Sequence, residues 1–199
     1  MARLNPVPLV RGHVRGLSSR TYEKGELVSF RPDWAARAAS LLVPAATWCL
    51  IANARPTYSE NLFNLLGIAL AWAALASAGL LSTFTLLAGW RGRLAEAILL
   101  KERWSREAPL RALVDEAVAH SMLGVVESLS VAVLAGLACI VAVPWQGLLW
   151  AVTAAVVAHT VFLFGLIATR LYSAYVQAED VPPEVDGFDR SSITVADKA

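Results

Sequence analysis

Residues 128–169 read SLSVAVLAGLACIVAVPWQGLLWAVTAAVVAHTVFLFGLIAT, 42 positions without one Asp, Glu, Lys or Arg. Built as a single α-helix they would extend about 63 Å, twice the roughly 30 Å hydrocarbon core of a bilayer. The stretch therefore has to double back. Pro144-Trp145-Gln146-Gly147 is the turn-like cluster within it, which places one apolar span at 121–143 and the next at 147–171.

Two more spans lie upstream. Residues 61–89 belong to a run with no charge between Asn61 and Arg91. Thirty residues of helix make about 45 Å, so this span tilts or protrudes. Residues 34–54 are interrupted only by Arg37, one turn in, where a long side chain snorkels to the headgroups. Pro44 sits near the middle of this span. It lacks the N–H that would serve the Ser40 carbonyl and predicts a kink. The chain is 57% hydrophobic and 17% charged, with mean hydropathy +0.54. Soluble domains are nearer 45–50% apolar and about 25% charged. The fold class that follows is an all-α membrane protein with four transmembrane helices, its spans within residues 34–176.

The polar segments have their own patterns. Residues 1–33 are basic, and two short apolar-alternating runs, Pro8–Gly16 and Glu26–Arg31, flank the polar connection Ser18–Gly25. That pattern fits a small β-hairpin, and a disordered basic arm is the alternative. In the loop 91–120, Leu94, Ala97 and Ile98 fall at helical spacing, as do Leu110, Leu113, Val114, Ala117 and Val118. The loop reads as two amphipathic helices broken near Ser105–Pro109, the second running into the third span. Glu107/Arg111 and Arg111/Asp115 are spaced to pair along it. Residues 177–199 form an acidic tail expected to be disordered.

Seven Lys and Arg lie in the arm and first turn and six in the loop, against Arg55 alone in the first short connection and none in the 144–147 turn. The positive-inside rule then puts both termini and the long loop in the cytoplasm, with the plasma (inner) membrane as location. Net charge of +1 argues against a nucleic-acid partner. Cys49 and Cys139 are too few for a disulfide scaffold or zinc site; one outer-face disulfide between them is left open. No nucleophile elbow, phosphate loop or metal-binding helix motif is present, so neither enzymatic activity nor a cofactor is expected.

Small residues recur every four positions: Ala69/Ala73/Ser77 and Ala74/Ala78/Ser82 in the second span, Ser128/Ala132/Gly136 in the third, Ala151/Ala155 in the fourth. Such rows allow close helix packing within one chain or between copies. Glu127 is the sharpest candidate site, because a carboxylate inside the membrane must pair, protonate or face water. Arg37 is its expected partner, in a register-fixing pair or at a pore wall. His159 and Thr160 are polar positions near the middle of the fourth span, and an apparent vertical offset argues against His159 meeting Glu127. The basic arm and the Arg91/Arg93 cluster are candidates for anionic lipid headgroups, with ordinary positive-inside anchoring as the alternative. The expected partners are the bilayer, further copies of the chain, and a cytoplasmic protein or small-molecule ligand. These features favour a homo-oligomeric ion channel or pore gated from the cytoplasmic side. A non-conducting accessory or scaffold subunit is the alternative, and half of a dimeric transporter ranks third.

Overall fold

The computed structural model describes residues 7–23, 26–54, 62–99 and 104–178. The element order is α1 (Val7–Gly16), β1 (Ser18–Glu23), β2 (Glu26–Pro32), α2 (Trp34–Ala54), α3 (Leu62–Leu99), α4 (Trp104–Ile140) and α5 (Val143–Ala178). Stretches of α2 to α5 are long and apolar enough to cross a membrane: Trp34–Asn53, Asn64–Arg93, Leu110–Ile140 and Trp145–Val176. The chain thus has the make-up of a multi-pass integral membrane protein, since a helix satisfies backbone polar groups internally as a lipid environment demands.

The chain divides into two compact units. The apolar unit comprises Ala38–Thr83 and Ser121–Gly165. Its core is Ala69 and Ala73 of α3, Val131, Ala135 and Ala138 of α4, and Trp150 of α5. The row Ala69/Ala73 is therefore spent on packing inside the chain, whereas Ala74, Ala78 and Ser82 on the same helix are exposed. Gly124 is buried where α4 approaches Leu80 and Leu163, and a Cβ there would lie 2.8 Å from Leu80 Cδ1. Leu41, Leu42 and Leu50 of α2 are exposed, as apolar side chains facing lipid would be.

The second unit comprises Met1–Arg37, Phe84–His120 and Leu166–Ala199. Leu87, Leu110, Val114, Ala117 and Ala174 form its apolar core. β1 pairs antiparallel with β2 from Ser18↔Pro32 to Glu23↔Glu26, with a bulge between Thr21 and Tyr22. Asp33 caps α2: its Oδ1 accepts from the Ala36 amide at 3.0 Å.

Three boundaries differ from the sequence reading. Pro8–Gly16, expected as a strand, lies in helix α1, and β1 comes from residues expected as the connection. Val7, Val10 and Val14 stand three and four apart, a helical spacing that outweighs the alternation. α3 continues to Leu99 and α4 starts at Trp104, so Ser105–Pro109 is helical rather than a break. Pro109, sixth in α4, removes one helical donor without ending the helix. The turn between the last two spans falls at 141–142, and Pro144 stands in the first turn of α5. The 55–61 connection and the acidic tail from residue 179 lie outside the described residues.

Candidate functional site

Antiparallel helices joined by a tight turn bring together residues equally distant from that turn. Glu127 and His159 are each sixteen residues from Val143, and they meet. His159 Nδ1 lies 2.8 Å from Glu127 Oε1. Glu127 Oε2 accepts from Thr160 Oγ1 at 3.1 Å, and that hydroxyl also lies 2.9 Å from Val156 O, so its one proton is shared. The side chains of His159 and Glu127 are 16% and 17% exposed. The His159 ring also packs beside Phe162, centroids 6.1 Å apart. The expected offset between Glu127 and His159 is therefore overturned: both sit at one depth, because α5 begins at Val143 and depth is counted from the shared turn.

The pair does not seal itself off. Glu127 and His159 border a cavity of about 270 Å³ whose other walls include Pro44 and Trp48 of α2 and Val152 and Val156 of α5. A carboxylate hydrogen-bonded to an imidazole at the edge of such a space can hold a cation or pass a proton. Both groups accept and release protons, and the second oxygen is steadied by Thr160.

Arg37, the partner expected for Glu127, is engaged in the second unit. Its Nε donates to Leu17 O at 3.2 Å and its Nη2 to Ser18 Oγ at 3.1 Å, and its guanidinium lies 5.7 Å from the Trp34 ring centroid. Arg91 donates to Asp115 Oδ1, which turns one headgroup candidate into half of an exposed ion pair. Arg93 is exposed. Cys49 and Cys139 are free thiols.

Sequence reasoning missed a second polar cluster. His13 of α1 and His120 of α4 are 7% and 0% exposed, their rings nearly edge-on, with the two Nδ1 atoms 3.0 Å apart. One nitrogen must donate and the other accept, so the contact requires at least one neutral ring. Beside it, Arg170 pairs with buried Glu116 at 3.2 Å and donates to Gly16 O at 3.0 Å. α1 approaches α4 through Gly12 and Gly16: a Cβ at Gly12 would lie 3.0 Å from Ala119 Cβ, and one at Gly16 would lie 2.8 Å from His120 Nε2. The signal was legible as a Gly-x-x-x-Gly spacing that lets backbones close in, although nothing in the sequence pointed to its partner helix. Among the described residues, no group of three or more His, Cys, Asp or Glu is placed to hold a metal ion.

Compared with known protein families, with curated proteins and with solved structures, the chain matches none of them. Fold and site define the class alone: an α-helical, multi-pass membrane protein with a carboxylate–imidazole–hydroxyl cluster inside its apolar unit.

Proposed function

We propose that the chain is a subunit of a homo-oligomeric ion channel or pore, carrying cations or protons and opened from the cytoplasmic side. Both termini lie in the cytoplasm, and the plasma (inner) membrane holds the assembly. The observation that carries this reading is the Glu127–His159–Thr160 cluster on the wall of an intramembrane cavity. A pair serving only to fix helix register gains most from being closed off, since every exposed polar atom within lipid costs free energy. This pair instead borders open space, with Pro44 on the facing helix. A carboxylate favours cations over anions, and the imidazole supplies a second proton-carrying group within hydrogen-bond reach.

A conduit between protomers needs a close seam, and the exposed row Ala74, Ala78 and Ser82 of α3 supplies side chains small enough for one. The basic segments around Arg11, Arg15 and Arg93 supply the cytoplasmic face on which an opening signal acts.

Single-channel recording of the purified protein in planar lipid bilayers tests the reading. Discrete cation-selective openings are expected, with Glu127→Gln reducing conductance at least about tenfold, in line with the loss of a charge that the ion meets at close range. A silent wild-type protein rejects the channel. A silent protein that copurifies with an unlike subunit at fixed stoichiometry supports the accessory or scaffold role instead.

A further inference from the structure

α1 turns two faces to two different tasks. Gly12, His13 and Gly16 pack on α4. The opposite face carries Val7, Val10 and Val14, which are 60%, 50% and 44% exposed. With Phe30 of β2, itself 49% exposed, these valines wall an open groove of about 550 Å³. Arg11, Arg15 and Arg37 also line it. Among the described residues, neither Arg11 nor Arg15 meets a carboxylate. Arg37 stands in the first turn of α2, whose apolar span begins at Trp34, so the groove opens where the chain enters lipid. Trp34 beside it is 72% exposed, a side chain suited to the bilayer interface.

We propose that this groove binds an anionic phospholipid of the surrounding bilayer. Its phosphate lies against Arg11, Arg15 and Arg37, and an acyl chain runs along Val10, Val14 and Phe30. The chemistry selects this occupant. A neutral lipid would cover the valines and leave Arg11 and Arg15 without a counter-charge. A soluble anion would neutralise the arginines and leave the valines and Phe30 in water. An interfacial amphipathic helix with basic residues bordering its apolar face meets both demands at once. The inference holds whether or not the chain conducts ions.

Native mass spectrometry of the full-length protein in detergent, titrated with phosphatidylglycerol or phosphatidylcholine, tests it. Wild-type protein is expected to bind phosphatidylglycerol about tenfold more tightly than phosphatidylcholine. The double variant Arg11→Gln/Arg15→Gln, altered at exposed positions, should bind phosphatidylglycerol about tenfold more weakly with phosphatidylcholine unchanged, as two surface arginines would dictate. In phosphatidylglycerol nanodiscs, amide exchange across residues 7–16 should be slower than in phosphatidylcholine nanodiscs. If the double variant loses its melting transition, Val14→Ser takes its place, and phosphatidylglycerol binding is again expected to weaken. Equal binding of the two lipids, or wild-type affinity in the variants, overturns the proposal. A lipid-free dimer that the double variant dissolves overturns it too, and assigns the groove to a second copy of the chain.

Discussion

At the scale of single residues, Glu127 has two hydrogen-bond partners, and His159 is the nearer one. His159→Ala would leave the carboxyl group without that partner in a site where its side chain is 17% exposed. A cost of about 1.5–3 kcal/mol is expected, read as a lowered thermal midpoint of the reconstituted protein. An unchanged midpoint would show that Glu127 is served by something other than this imidazole. The glycines offer a sharper comparison. At Gly16 an added methyl meets the rigid ring of His120, fully buried and in contact with His13, so Gly16→Ala should cost about 1–3 kcal/mol. At Gly124 the same methyl meets the end of the Leu80 side chain, which can shift. Alanine's gain in helix propensity, about 0.5–1 kcal/mol, should leave Gly124→Ala near neutral. Equal midpoints for the two variants would contradict the packing described for α1. Composition made Glu127 legible as an anomaly, but His13 and His120, 107 positions apart, carried no local signal of their meeting.

At the scale of elements, the four long helices were the most readable part of the chain, because absence of charge over such lengths leaves few other structures open. α2 occupies Trp34–Ala54, the stretch that composition marks off. The last two spans differ from the sequence reading in their ends rather than their existence. Pro144 has the look of a turn residue, whereas it starts a helix that continues to Ala178. That difference of a few residues hides the register in which Glu127 meets His159 and, equally far from Val143 on either side, Glu116 meets Arg170. In the N-terminal arm, short alternation and helical spacing coexist in Pro8–Gly16. Tertiary contact through Gly12 and Gly16 accompanies the helix, information a ten-residue window does not hold. Pro44 remains the weak point of α2, since it removes one helical donor and crowds the preceding turn. Pro44→Ala should raise the thermal midpoint and slow amide exchange over residues 40–48, and it should change conductance because residue 44 lines the cavity. A midpoint that stays or falls would mean the neighbouring packing was built around the proline.

At the scale of the whole molecule, an acid such as Glu127 acquires its meaning from helices that lie in lipid. Four crossings, an even number, return the chain to the side on which it began. In the proposed arrangement the uneven distribution of Lys and Arg makes that side the cytoplasm, with the connection around Arg55 and the turn before Trp145 on the other. Cys49 and Cys139, both free thiols, can be replaced to give a background for single reporter cysteines. In sealed vesicles made from cells expressing such variants, a membrane-impermeant maleimide tests the arrangement most directly. Cysteines placed near residues 5, 101 and 190 should label from the cytoplasmic side alone, and cysteines at 57 and 142 from the opposite side alone. Labelling of residues 5 and 190 from opposite sides, or of all five positions from one side, would contradict four crossings and remove the ground for a channel.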